Sequence, residues 1–204
     1  MTNPTTAEKL DLLTHDWVDH LFRYDPESGH LLWKKRPHGD FKNKTTWRRW
    51  NHQWADRRAG RDKLVNRYIY RVIVIPLPEG QGYVAMVAAR VIVFLHQKRW
   101  PSQSVTYRDK NRLNTKLDNL VEASKSEVGH NRRTSPSISG FPGVSYMVSI
   151  KQWRVCIRVD GKYIYGGCFK TLAEAVTRRR ELKAQHHRFE DDEPSELMTS
   201  NPAP

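Results

Sequence analysis

The chain has 204 residues and a net charge of +13, with 35 Lys or Arg, 7 Trp and 8 Tyr; a surface of that kind suits a polyanion, above all nucleic acid, better than it suits a small-molecule pocket. Two cysteines, Cys156 and Cys168, and no Cys-x-x-Cys pair argue against a structural zinc site or a disulfide framework. No apolar run approaches the roughly 20 residues of a spanning helix, and the first ten residues lack an apolar signal core, so the expected setting is soluble and cytoplasmic with no membrane partner.

Thr5-Thr-Ala-Glu8 reads as a capping box that opens a helix, with Leu10, Leu13, Trp17 and Leu21 recurring on one face. Residues 22–24 and 31–33 flank the turn formers 25–29 and predict a hairpin, with His30 beside the turn as a surface residue. Between Phe41 and Arg71 there are ten Lys or Arg against Asp56 and Asp62. Trp47, Trp50 and Trp54 sit at helical spacing and are expected to pack into a core, leaving Arg48, Arg49, Arg57 and Arg58 outward to meet phosphates. Residues 68–75 alternate as a strand, a Pro/Gly-rich loop follows, and residues 83–86 form the return strand.

Ala88, Val91, Ile92 and Leu95 predict a buried helix that ends before Pro101. A short strand at 105–107 and a segment leading out of a polar turn at 117–121 come next, and Ser124-Lys-Ser-Glu127 caps a short helix through Asn131. The Ser/Pro-rich residues 132–139 read as a linker. Three strands are expected at 143–149, 153–159 and 162–169, the last two joined by the hairpin signal Asp160-Gly161, and Thr171-Leu-Ala-Glu174 caps a helix. Residues 189–204 read as a disordered acidic tail.

The run from residue 22 through RVIVFLHQKRWP to NRLNTKLDNLVEASKSE resembles phage and intron-encoded HNH endonucleases, with the nuclease-like core at about 86–131 of a domain spanning 1–131. In that family an Asp and an Asn hold one divalent cation at the scissile phosphate, a His activates water, and a middle Asn orients that His. Such chemistry needs a nucleophile generated near neutral pH and a cation to stabilise the leaving oxygen. Set against the pattern, Asp-His is Thr106-Tyr107, the middle Asn is kept as Asn119, and the helix Asn is Val128. A tyrosine, with its pKa near 10, is far from a base poised near 7, and valine cannot ligate. His96, Asp109, Asp118 and His130 are the residues from which a shifted site could be built.

Residues 140–188 resemble the plant ethylene-response-factor (APETALA-type) DNA-binding domain, through Gly143-Val-Ser-Tyr146, Lys151-Gln-Trp-Arg154, Gly161-Lys162, Gly167-Cys-Phe169 and Thr171-Leu-Ala-Glu-Ala175. The resemblance implies a sheet in the major groove, with Tyr146, Trp153, Arg154, Arg158 and Lys162 as its contacts. Period-two alternation puts Arg154 and Arg158 on one face, with Cys156 between them, and Val155, Ile157 and Val159 on the other.

The expected fold class is α+β: an HNH-type ββα unit with an N-terminal helix and strand elaboration, then a three-stranded antiparallel sheet packed on one helix. The leading expectation is a double-stranded-DNA-binding protein whose nuclease site is catalytically dead, acting by DNA occupancy or as a regulatory or counter-defence factor, with no cofactor. A second reading is a magnesium-dependent homing endonuclease that nicks double-stranded DNA. A third is a phage factor that binds a host protein. Phage origin, and with it the host cytoplasm, is implied by the family resemblance.

Overall fold

The opening helical stretch breaks where a hydroxyl can cap a new turn. In the computed structural model, which describes residues 6–131 and 139–189, α1 (Thr6–Asp11) and α2 (His15–Leu21) are separate helices. The side chain of Thr14, at the N-cap of α2, accepts from the Trp17 amide at 3.2 Å, so the expected single helix is interrupted by a better local partner for its backbone. The expected capping residue Thr5 lies outside the described residues. Two compact units divide the chain, Met1–Glu122 and Ala123–Pro204.

In the first unit, β1 (Phe22–Asp25) pairs antiparallel with β2 (His30–Trp33). The Asp25 carboxylate accepts from the Ser28 hydroxyl and the Glu27 amide, closing the turn. Helix α3 (Lys44–Trp54), capped by Asn43, buries none of its residues fully, which corrects the expected core packing of its tryptophans. Trp47 donates its indole N–H to the Arg36 carbonyl at 2.8 Å, Trp50 meets Trp33 edge-on, and Trp54 is exposed. Trp50 forms a small surface cluster with Phe41 and the Arg36 guanidinium. Arg36 and His20 both bond one oxygen of Asp40 at 2.7 Å. Burial alone would raise the Asp40 carboxyl, but these two bonds outweigh it and hold it below the usual carboxylate range.

β3 (Arg61–Val65), β4 (Tyr68–Pro76) and β5 (Tyr83–Val87) form an antiparallel sheet in that order. β3 carries no apolar alternation; it exists because Asn66 and Arg67, both at positive φ, turn it back onto β4. Helix α4 (Ala88–Gln97) buries Ala88, Ala89 and the run from Val91 to Phe94 against α2, β4 and β5. β6 (Ser104–Tyr107) then pairs with β7 (Leu120–Ala123).

In the second unit, α5 (Lys125–His130) begins at a complete Ser124/Glu127 capping box. β8 (Val144–Met147), β9 (Gln152–Val159) and β10 (Lys162–Phe169) make an antiparallel sheet, with β9 central. Helix α6 (Leu172–His186), capped by Thr171 with Glu174, lays Ala175, Val176 and Leu182 on Val155 and Ile157. Gly166 is required there, since a Cβ would stand 2.7 Å from Leu182 and 2.8 Å from Val155. Residues 132–138 of the expected linker and 190–204 of the expected tail lie outside the described residues; Phe189 is buried.

The chain is thus a mixed α+β fold of small antiparallel sheets packed against helices. Among the described residues no helix is long and apolar enough to cross a membrane. Gly29, at φ +72°, seats the first hairpin against the later loop: a Cβ there would lie 2.7 Å from the Lys116 amide nitrogen. Replacing Gly29 with alanine should destabilise the fold by roughly 1–3 kcal/mol, seen as a lower urea midpoint at unchanged slope.

Candidate functional site

The loop between β6 and β7 is organised by Asn119, a buried side chain. Its amide oxygen accepts from the Asp109 N–H at 2.9 Å, and its amide nitrogen donates to Asp109 Oδ1 at 2.9 Å and to the Asn114 carbonyl at 2.8 Å. Asp109 Oδ1 also accepts from the Asn111 N–H, and Oδ2 from Asn114 Nδ2 at 2.6 Å. Both carboxylate oxygens are therefore engaged in shaping the loop. Thr115 donates to the Gly29 carbonyl and Leu117 N–H to the Tyr24 hydroxyl, so the loop is seated on the first hairpin.

The positions matching the nuclease pattern are far from that chemistry. Tyr107 is 3% exposed and belongs to the apolar core, and Thr106 beside it is buried. Burial pushes the Tyr107 hydroxyl far above its ordinary pKa; Tyr70 and Asp109 add to this, while Arg112 and Arg71 oppose it. Val128 is half-buried in α5. Asp118 is exposed and offers its carbonyl, rather than its carboxylate, to Arg108 Nε at 3.1 Å. His96 stands at the end of α4, in a shallow hollow of about 230 Å³ with Asp19, Tyr24 and Leu117. The side chain of His130 lies outside the described residues. No three His, Cys, Asp or Glu side chains among the described residues are grouped so as to hold a metal ion.

Around Tyr107 the groups are cationic and aromatic instead. Arg112 lies 3.6 Å over the Tyr68 ring and donates from Nε to the Tyr70 hydroxyl at 3.0 Å. The next residue of β4, Arg71, is only 5% exposed; its Nε meets Asp62 at 2.6 Å and its Nη1 meets His30 Nδ1 at 3.3 Å. The Arg71 hydrogen bond holds Asp62 below the usual carboxylate range. His30, expected on the surface, is half-buried. Burial depresses its imidazole below the ordinary range, and the charges of Arg71 and Arg58 depress it further. No signal in the sequence joins His30 to Arg71, 41 residues away. Arg48, Arg49, Arg57 and Arg58 are all exposed.

The second unit presents a different surface. Arg154, Cys156 and Arg158 share the outer face of β9, and their partners on β10 are Cys168, Tyr165 and Tyr163. Tyr163 is 74% and Tyr165 64% exposed, and the Arg158 guanidinium lies 5.6 Å from the Tyr163 ring centroid. Ser145, Arg154, Cys156, Tyr163 and Tyr165 line an open hollow of about 470 Å³. Neither Arg154 nor Arg158 has a carboxylate partner among the described residues. Lys162 is exposed at the hairpin end. Trp153, expected among the contacts, is on the inner face at 8% exposure, with the half-buried Tyr146 against it at 5.0 Å between ring centroids. In the sequence, the alternation of Tyr163 and Tyr165 about Ile164 is the signal that marks the two tyrosines as facing outward.

Comparison with protein-family models, with curated proteins and with solved structures found no match to this chain.

Asn119 satisfies three polar groups of the loop at once. Its replacement by alanine should cost about 1–3 kcal/mol and speed hydrogen exchange at the Asp109 amide. Asn119→Asp should not restore protection, because a carboxylate cannot donate to Asp109.

Proposed function

We propose that the chain is a double-stranded-DNA-binding protein of HNH-endonuclease type, in which the strand–strand–helix run β6, β7 and α5 is retained as scaffold and DNA is held without being cut. The observation that carries the reading is the outer face of β9 and β10, where two guanidiniums with no carboxylate partner among the described residues stand beside two exposed tyrosines. A guanidinium binds a guanine edge through two parallel hydrogen bonds, worth about 1–3 kcal/mol of discrimination against another base. Lys162 and whichever arginine does not reach a base meet phosphates, which fix register without reading sequence. The tyrosines add aromatic surface beside these cations, and α6 stiffens the sheet from behind.

The non-catalytic half of the reading rests on Tyr107 and Asp109. A phenol packed in the core and raised in pKa is a poor base at neutral pH. An aspartate whose two oxygens already accept three hydrogen bonds has about one of its four lone-pair sites left, so a cation there competes with the bonds that shape the loop.

Two measurements on the full chain test the two halves. Fluorescence anisotropy with a labelled duplex should give an affinity that falls steeply with salt, with a log–log slope of about −0.9 per neutralised phosphate. Arg154→Ala with Arg158→Ala should weaken binding and make the slope shallower or relax sequence preference; salt-insensitive or absent binding would reject the DNA-binding reading. On supercoiled DNA with magnesium or manganese, the wild-type protein should produce no more nicked circle than an EDTA control. Metal-dependent nicking by the wild type would establish the endonuclease reading in its place.

A further inference from the structure

We propose that His30, Arg58 and Arg71 form an oxyanion site in the first unit that takes a backbone phosphate of duplex DNA, with His30 donating from Nε2. The proposal rests on the DNA-binding reading and adds to it a contact separate from the β9–β10 sheet.

The geometry begins with strand pairing. Arg58 bridges antiparallel to Leu32 of β2. Paired residues project to the same side of a sheet, as do residues two apart on one strand. Arg58 and His30 therefore share a face as diagonal neighbours. From β4, Arg71 reaches the same imidazole, and its Nη1 stands 3.3 Å from Nδ1. An arginine has only donors, so Nδ1 must be the acceptor, and a neutral imidazole then carries its proton on Nε2. His30 is held in the form of a donor, not a base.

The formal charges balance, but the local hydrogen-bond donors outnumber the acceptors left to them. Arg71 has Asp62 as its counter-ion. The Asp25 carboxylate, also near His30, accepts from Ser28 and Glu27 in its own turn. Arg58 makes no hydrogen bond or ion pair among the described residues, although its charge reaches both His30 and Asp62. Among the described residues, the exposed Arg58 guanidinium and the N–H of the half-buried His30 imidazole are thus left without an acceptor. Groups of this kind gain most from a compact anion with several acceptor oxygens, and a phosphodiester fits that description.

The test uses the full chain and a labelled duplex, with variants chosen to separate the roles. Arg58→Gln should lower the salt slope by about 1. His30→Asn keeps an acceptor near the Nδ1 position but loses the distal donor, and should weaken binding; His30→Gln, whose amide reaches the Nε2 position, should retain more affinity. In nuclear magnetic resonance, His30 should be the Nε2–H tautomer, and its depressed pKa should rise when duplex is added, because the bound phosphate offsets the guanidiniums. If the wild type binds DNA while Arg58→Gln and His30→Asn leave affinity and slope unchanged, the inference falls and the DNA-binding reading stands. If inorganic phosphate alone raises the His30 pKa while the variants leave the duplex slope intact, the site takes free anions and the backbone assignment is overturned. If the wild type binds no duplex, both fall.

Discussion

The hydrogen bonds between Asn119 and Asp109 are what the first unit's second half depends on. They close a polar loop of about ten residues that offers the core almost nothing to bury, so its conformation has to come from internal polar partners. Once closed, the loop delivers Thr115 to the Gly29 carbonyl, Leu117 to the Tyr24 hydroxyl and Arg112 to the ring of Tyr68. Each of those contacts crosses a long stretch of sequence, and each assumes the same loop shape. A hydrogen bond to a charged group contributes about 1.5–3 kcal/mol, more than a neutral one, which is why a single carboxylate can fix one backbone N–H and two side-chain amides of the loop.

That arrangement sets structure against catalysis. Metal ligation needs carboxylate lone pairs aimed at one point, whereas Asp109 spreads its lone pairs over Asn111, Asn114 and Asn119. The neighbouring strand is shifted in the same direction. A His and Asp at a working site must face water and phosphate, but Thr106 and Tyr107 are buried, and the tyrosine ring is part of the packing that holds β6 in place. In the proposed reading, scaffold and catalyst make opposite demands on these positions, and the burial of Thr106 and Tyr107 meets the scaffold's.

Elements with a strong period or a specific turn were readable in advance. Helix α4 shows its buried stripe, Asp160-Gly161 announces the β9–β10 hairpin, and Thr171 with Glu174 marks the start of α6. β3 was not readable, because Arg61-Asp62-Lys63 has no apolar face and the strand is held by pairing to β4. The tryptophans of α3 have the spacing of a core stripe yet none is fully buried, since periodicity reports which face is apolar and not how deeply it is covered. Trp153 failed for a related reason: its parity along β9 matches Val155 and Ile157, and burial follows parity more strictly than residue type. The grouping of His30, Arg58 and Arg71 is purely tertiary, and nothing local points to it.

The distribution of counter-ions then gives the charge of +13 a physical meaning. In the first unit several guanidiniums are committed: Arg71 to Asp62, Arg36 to Asp40 and to aromatic rings, Arg112 to Tyr68 and Tyr70. In the second, Arg178 and Arg188 have Glu181 and Glu127, whereas among the described residues neither Arg154 nor Arg158 has a carboxylate partner, and Arg158 has the Tyr163 ring and the Gly161 carbonyl as neighbours. Guanidiniums without carboxylate partners are screened by mobile anions from solution. A phosphate backbone that replaces those anions releases them and its own counterions, so its affinity grows as salt falls. In the proposed DNA-binding reading, Arg154, Arg158 and Arg58, which have no carboxylate partner among the described residues, are the groups on which a phosphate backbone gains.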